Sequence, residues 1–564
     1  MNNILNNQLN NRTIVKLKKQ LDVQSNLIHK KINVVRTLPF EYIEKVYNSF
    51  YEFTNLKFSS NYSDYDVSLP NISFEGTHDI FIFWMDWRLY MKKMEPKALL
   101  EWVKSRLAEI DENKPILMNN WPTFWELDER QYAANVSKRS WIYEFNYLLE
   151  DLKKDMINVE IIDLNLFASQ LGMSSYDARN DEISHYPLSN QLTLQIARHI
   201  ALQLIPAMLE PKLKAIVLDL DNTLYSGVLG EDGLEGIVVT EEHIQLQKVL
   251  KNMKDKGTLL AISSKNDERD VMDLLENHPK FILKKDDFTF VEANWNSKEI
   301  NILSMAEKFN FDVSAMLFVD DNLAEIARVK EEIPTIYVLL ADPTGQETVH
   351  RLLNYPYLYS RKKDDSAVFR QQDILSNQKR MKLAKLSSDP SRYLKSLNMK
   401  IEVFENEQQH TQRVFEMGQK TNQFNLALQR FSSGDLFKKA QANNYCIFTV
   451  TLADILNDSG IIGSYIVQID GVKAYMEEIL FSCRALGRKV EDASLLLILE
   501  RLQLRGIEKV KINVTEGPRN KPAINWYKEV YTSSNIVDII KELKQKLAHY
   551  PAEVIWSNER RDNK

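Results

Sequence analysis

The stretch Lys214-Ala-Ile-Val-Leu-Asp219-Leu-Asp221-Asn-Thr223-Leu-Tyr-Ser-Gly227 constrains this chain more than any other. Five mostly apolar, β-favouring residues end in two carboxylates one residue apart, and a turn-rich segment with Gly227, Gly230 and Gly233 comes directly after them. The pattern predicts a buried strand that delivers two acids to its carboxyl edge. Alternation along a strand turns Asp219 and Asp221 to the same side, where they can share one divalent cation and one substrate. In open α/β sheets that edge is where ligands bind. Taken alone, the stretch also fits a strand end capped by solvated carboxylates.

The order of the downstream segments separates the two readings. Thr258-Leu-Leu-Ala-Ile-Ser-Ser264 predicts a second apolar strand ending in a hydroxyl, succeeded by Lys265-Asn266-Asp267. Ser297-Lys298 opens a helix after Asn294-Trp295-Asn296, and Ala315-Met-Leu-Phe-Val319 predicts a third strand running into Asp320-Asp321-Asn322. This ordered set resembles the haloacid dehalogenase (HAD) superfamily. The resemblance implies that Asp219 is a nucleophile forming an aspartyl-phosphate, and that Asp221 protonates the leaving oxygen and later activates water. It also implies Mg²⁺ held by an Asp219 oxygen, the Asp221 backbone carbonyl and Asp320, with Asp321 contributing directly or through water. Thr223, Ser264 and Lys298 then hold the phosphoryl oxygens. Only about 35 residues separate Thr223 from the second strand, which predicts a minimal cap and an open site. Asn322-Leu-Ala-Glu325 has the form of a capping box, setting Asp320 and Asp321 just before a helix start.

A chain of 564 residues exceeds what one core usually holds, so several domains are expected. A hydrophobic fraction of 44% and a charged fraction of 27% are those of a globular protein. A net charge of −6 argues against generic nucleic-acid binding, which needs a basic footprint. Two cysteines, Cys446 and Cys483, cannot staple a chain of this length and fit a reducing compartment. No apolar run approaches a membrane span, and the start Met-Asn-Asn-Ile-Leu-Asn-Asn lacks the regions of a signal peptide. A cytoplasmic protein without membrane or nucleic-acid partners is therefore expected.

Before the Asp-x-Asp strand, apolar runs at 32–35, 80–84, 116–118 and 159–163 alternate with helical patterns over 40–53, 96–110 and 141–156. This alternation predicts a parallel, doubly wound sheet. Its position and pattern resemble an SGNH-hydrolase-like domain. No Gly-Asp-Ser nucleophile stands near its start, however, and Asp181 and His185 are one residue too far apart for Asp-x-x-His. A catalytically silent scaffold is the expectation. Pro206 and Pro211 are expected to mark the hinge into the next domain.

After a charged helical connector broken by Pro390, strands are predicted at 399–403, 447–452, 474–481 and 510–514, with an apolar helix over 490–504. Ser482-Cys483-Arg484-Ala-Leu-Gly487-Arg488 joins the third strand to that helix. A strand, a Gly- and Arg-containing turn and a long helix resemble the way GNAT-type acyltransferases seat a pyrophosphate on helix-start amides. Arg484-x-x-Gly487-x-Lys489 matches their pattern only in part, which leaves phosphopantetheine recognition open. Asp454 and Asp458 read as turn residues. Cys446 reads as a buried structural thiol.

The run Asp-Leu-Asp-Asn-Thr-Leu-Tyr-Ser-Gly-Val-Leu-Gly-Glu-Asp-Gly, with Ser-Lys-Asn, Val-Asp-Asp-Asn, Thr-Asn-Gln-Phe-Asn-Leu and Ser-Cys-Arg-x-Leu-Gly-Arg, resembles the FkbH-like family from about residue 30 to 545. The resemblance implies a glyceryl transferase and phosphatase. Such an enzyme takes the glyceryl unit of 1,3-bisphosphoglycerate, removes a phosphate and delivers a D-glyceryl thioester to the phosphopantetheine of an acyl carrier protein, for polyketide or related assembly. The family's thioester-forming cysteine maps onto Cys483. Asp454, Asp458, Arg484, Gly487, Arg488 and Asn520 are expected around the acyl and pantetheine site. Leu456-Asn457 and the tyrosine of Leu-Tyr-Ser depart from the family pattern. The fold expected is multidomain α/β. It has a flexible 1–30, a flavodoxin/SGNH-like sheet over 31–208, a HAD Rossmann-like core over 212–350, a connector over 351–394, a GNAT-like α+β domain over 395–545 and a tail over 546–564.

Overall fold

Short runs rich in Ile, Val and Phe build the first sheet: β1 (Ile28–Arg36), β2 (Leu56–Tyr62), β3 (Ile80–Trp84), β4 (Ile116–Asn119) and β5 (Val159–Ile162). All pairings are parallel, in the order β2-β1-β3-β4-β5. Every residue of β3 and β4 is buried, the pattern of a parallel sheet covered on its faces. This computed structural model describes residues 27–50, 54, 56–65, 77–125, 138–209, 213–309, 311–359, 370–386, 390–421, 423–482, 485–517 and 519–557. The chain divides into two units, Met1–Val368 and Phe369–Lys564.

Two features of the first sheet differ from expectation. β1 begins at Ile28, four residues early, because its polar start His29-Lys30-Lys31 pairs with β2. β2 itself escapes a search for apolar runs, since only Leu56 and Phe58 of its seven residues are buried. Of the two prolines expected to mark a hinge, Pro211 lies outside the described residues and Pro206 stands in a helix. It lies inside a helical run, Asn190–Leu209, just after a π-helical stretch Ile200–Leu204 whose wider turn accommodates the ring and the missing N–H. That helix is long and apolar enough to cross a membrane by length and composition, contrary to expectation, but 72% of its apolar window is buried inside the protein. It is a core helix.

The second sheet of the same unit contains β6 (Ala215–Leu218), β7 (Leu259–Ser264), β8 (Phe290–Ala293), β9 (Met316–Asp320) and β10 (Tyr337–Leu340), again all parallel. Its order is β10-β9-β6-β7-β8. The chain lays down β6, β7 and β8 in one direction, then crosses back to add β9 and β10 beyond β6. The order therefore reverses between β6 and β9, which opens a crevice at their carboxyl ends. Only the helices Leu229–Gly236 and Glu241–Asp255 intervene between β6 and β7, so the cap is minimal.

The second unit is built on one mixed sheet: β11 (Lys400–Glu405), β12 (Tyr445–Asp454), β13 (Asn457–Asp470), β14 (Lys473–Phe481), β15 (Lys509–Ile512) and β16 (Glu553–Trp556), in the order β15-β14-β13-β12-β11-β16. The central pairs are antiparallel and the outer pairs, β14 with β15 and β11 with β16, are parallel. The helix Val490–Leu504 has the predicted bounds. β13 occupies much of what reads as loop. The β12–β13 turn is only Ile455-Leu456, and Asp458 stands in a strand opposite Ala453. Pairing of β14 with β15 stops at Met476. Beyond it the segment around Leu426 takes over, with the Leu426 amide donating to Ile479 O at 3.0 Å and the Phe481 amide to Phe424 O at 2.9 Å. The buried Glu478 carboxylate accepts from the amides of Leu426, Ala427 and Gln429 and fixes that segment.

Candidate active site

β6 ends at Leu218, so Asp219 emerges at the carboxyl edge of the central strand, and its amide donates to Val319 O of β9 at 2.9 Å. β9 ends with Asp320 across the crevice, β7 ends with Ser264, and the helix Lys298–Phe309 opens with its lysine aimed at both acids. Lys298 Nζ lies 2.9 Å from Asp219 Oδ1 and bonds Asp320 Oδ2. Ser264 Oγ donates to Asp219 Oδ1 at 2.9 Å. Four residues drawn from four elements over about a hundred positions thus meet at one point, and all four are buried.

The charges follow from this crowding. Burial raises the pKa of Asp219, with Lys298 opposing and Asp320 reinforcing the rise. Asp320 and Asp321 are raised as well, mainly by burial. Burial disfavours the Lys298 ammonium, but Asp219 and Asp320 outweigh it and raise its pKa. One cation among three acids leaves an excess of negative charge. Oxygens of Asp219, Asp320 and Asp321 lie within 4.8 Å of one another. Hard carboxylate oxygens grouped this closely fit a cation such as Mg²⁺. The Thr223 hydroxyl is buried without a hydrogen-bond partner, an orphan donor and acceptor beside this group in sequence.

Asp221 sits one residue beyond Leu220 and its carboxylate is engaged three times. Tyr225 Oη donates to Oδ1 at 2.6 Å, the Leu229 amide to Oδ1 at 2.9 Å, and Asn266 Nδ2 to Oδ2 at 2.9 Å. Asn266 Nδ2 also donates to Ser264 Oγ at 3.1 Å. Sequence reasoning assigned no role to Asn266 or Tyr225. The signal for Asn266 lay in Ser-Lys-Asn. The capping box at Asn322 forms only in part: Asn322 accepts from the Ala324 amide, while Glu325 reaches Lys265 at 2.6 Å.

The carboxyl edge of the first sheet is a self-satisfied network. Asp181 is held bidentately by Arg88 at 2.8 and 2.9 Å and by Tyr176 at 2.7 Å, Arg88 also pairs with Asp86, and the Asp86 amide bonds Thr37 Oγ1. His185 closes a helix in the left-handed region.

In the second unit, Cys483 and Arg484 lie outside the described residues. On either side, the Ser482 amide donates to Ile462 O at 2.7 Å and the Ala485 amide to Ser482 O at 2.9 Å. Gly487 (φ +78°) and Lys489 (φ +55°) then turn the chain into the helix Val490–Leu504. Of the predicted companions, Asp454 and Arg488 meet and Asp458 does not join them. The Asp454 side chain is buried and paired with Arg488 at 2.9 Å and with Arg380 at 2.8 and 2.9 Å, whereas Asp458 is exposed and accepts from the Gly460 amide. Arg380, from the helix Arg370–Leu386, had no local signal in its charged surroundings. Burial and Arg380 bring Arg488 down to about 10. Asn520 is buried and donates to Asn425 O and Thr515 O, both at 2.9 Å. The first turn of the 490–504 helix already carries Glu491, pushed up to about 7 by burial, and Asp492. Cys446 is buried, and that burial pushes its thiol up to about 12, in keeping with a structural role.

No protein-family model matches the chain, and no curated protein matches it by sequence. Among solved structures, the N-terminal part of the protein BF1531 from Bacteroides fragilis, containing a phosphatase domain and complexed with Mg, is 22% identical. It covers 62% of this chain and 99% of its own, with a TM-score of 0.52, and so shares the fold of that portion. The ribosomal-protein-S18-alanine N-acetyltransferase from Escherichia coli is 16% identical and covers 24% of this chain and 76% of its own, with a TM-score of 0.19. A member of the lipolytic G-D-S-L family from Veillonella parvula is 10% identical and covers 31% and 98%, with a TM-score of 0.23.

Proposed function

We propose that this chain is a Mg²⁺-dependent HAD-type phosphatase joined to an acyl-transfer unit of the FkbH-like kind. It loads D-glyceryl from 1,3-bisphosphoglycerate onto an acyl carrier protein through a thioester at Cys483. The observation that carries the phosphatase half is the convergence of Asp219, Ser264, Lys298 and Asp320 on one sheet edge. The fold shared with a Mg-bound structure containing a phosphatase domain supports the same reading.

A phosphate monoester dianion repels nucleophiles, so its cleavage needs neutralisation and in-line positioning more than a strong base. Mg²⁺, when bound by Asp219, Asp320 and Asp321, supplies that neutralisation and keeps Asp219 ionised. Asp219 attacks phosphorus, the P–O bond to the alcohol breaks, and Asp221 gives its proton to the departing oxygen. Asp221 then takes a proton from water, whose oxygen attacks the aspartyl-phosphate and releases inorganic phosphate. Lys298, Ser264 and Thr223 hold the phosphoryl oxygens. In the second unit, the Cys483 thiolate attacks the C1 acyl phosphate and expels phosphate, which conserves the activation as a thioester that a pantetheine thiol accepts by exchange.

Incubation with 1,3-bisphosphoglycerate followed by intact-mass measurement tests both halves. A glyceryl adduct is expected with the native chain and no adduct with Cys483→Ala. Asp219→Asn should retain a phosphoglyceryl adduct, and a dephosphorylated adduct on that variant would disprove the nucleophile. Phosphate release without any adduct would leave a plain phosphatase.

A further inference from the structure

Asp221, the proton donor of the phosphatase reaction, is held far more elaborately than a solvated acid needs, and this inference rests on the phosphatase reading. Asp221 receives Tyr225 Oη, the Leu229 amide and Asn266 Nδ2, three donors from three separate positions. Tyr225 and Asn266 are both buried, so two polar groups have been taken from water to meet one carboxylate. Asn266 does more than hold Asp221. Its Nδ2 also donates to Ser264 Oγ, whose own proton goes to Asp219 Oδ1, so one amide links the two acids through a single hydroxyl. Because Ser264 Oγ accepts from Asn266, its hydrogen is free to swing from Asp219 to a phosphoryl oxygen as Asp219 attacks.

We infer that Asn266 and Tyr225 are positioning residues that aim Asp221 at the leaving oxygen. The chemistry of the leaving group decides where that positioning is felt. An alkoxide is a poor leaving group and must gain a proton as the P–O bond breaks. An aryl oxide or a carboxylate leaves without one. A site that orients a general acid with three hydrogen bonds is matched to the first kind.

The test compares glycerol 3-phosphate with p-nitrophenyl phosphate as substrates of the full chain with Mg²⁺. For Asn266→Ala, kcat on the glycerol ester should fall by about 10²-fold, within the usual range for general acid catalysis, while kcat on the nitrophenyl ester falls at least tenfold less and KM stays similar for both. Tyr225→Phe removes only a hydroxyl and should shift the same ratio in the same direction by a smaller factor; it carries the test if Asn266→Ala does not fold. Equal losses on the two esters would overturn the positioning role while leaving the phosphatase intact. Failure of the native chain to hydrolyse either ester would remove the phosphatase reading itself.

Discussion

Lys298 is the residue on which the electrostatics of the proposed phosphatase site turn, since its ammonium stands between two buried carboxylates whose pKa values burial has already raised. Lys298→Gln removes the counter-charge without changing the size greatly. Phosphate turnover should drop by about 10²–10³-fold, the loss typical of deleting a preorganised charge-stabilising donor, measured as kcat on glycerol 3-phosphate. Asp454 offers the complementary case, a single acid between two buried guanidinium groups. Burial alone would raise its pKa, but Arg380, the Leu456 amide and Arg488 outweigh that and hold it low. A depressed carboxylate stabilises the fold above its unfolded pKa of about 3.9, and that contribution is lost as pH falls through the folded value. Asp454→Asn should cost about 3–5 kcal/mol at neutral pH, as when one partner of a buried ion pair is removed. The variant should also lack the corresponding part of the acid-induced loss seen by denaturant titration from pH 7 downwards. The sequence made Asp219, Ser264, Lys298 and Asp320 legible because each stands at the end of an apolar run or at a helix start. Arg380 was not, because its partner is 74 positions away and nothing local marks it, and Asn266, though it stands in Ser-Lys-Asn, gave no sign of its partner 45 positions away.

At the scale of elements, buried parallel strands announced themselves and polar or hairpin strands did not. β3, β4, β6 and β9 are continuous apolar runs, so length and composition locate them. β13 hid behind Asp458, Ser459, Gly460 and Gly463, which read as a loop, and behind a turn of Ile455 and Leu456 that contains none of the usual turn residues. Gly463 is present for packing: a Cβ there would meet the Phe481 ring at 2.2 Å. Phe481 is itself wedged against Phe424 and Tyr465, with ring centroids at 5.6 and 5.5 Å, and has nowhere to move. Gly463→Ala should therefore destabilise the second unit by about 1–3 kcal/mol, the usual cost of overpacking. Gly418, inside the helix Thr411–Lys420 with open space around its Cβ position, provides the contrast. Gly418→Ala should be neutral or stabilising by up to about 1 kcal/mol, from helix propensity alone. Chemical denaturation of the two variants side by side decides whether packing or backbone freedom keeps each glycine.

For the molecule as a whole, the proposal places two chemistries in two units, and metal removal should separate them. Asp219, Asp320 and Asp321 crowd three acids around one lysine, so the metal-free first unit carries unrelieved repulsion that a bound cation removes. A ligand that binds only the folded state stabilises it by about 2.7 kcal/mol at a hundred times its Kd. Saturating Mg²⁺ should accordingly raise the Tm of the native chain, and Asp321→Asn should lose most of that rise without needing any activity to be measured. Chelation should have a second, unequal effect. Phosphate release from glycerol 3-phosphate should stop, because without the cation the acids at the sheet edge repel the dianion. Attack of the Cys483 thiolate on an acyl phosphate draws on none of these carboxylates, so the adduct formed from 1,3-bisphosphoglycerate should still appear under chelation, heavier by the phosphate that would otherwise be removed. If chelation abolished the adduct as well, the two reactions would share one centre, and the proposed division of labour between Asp219 and Cys483 would be wrong.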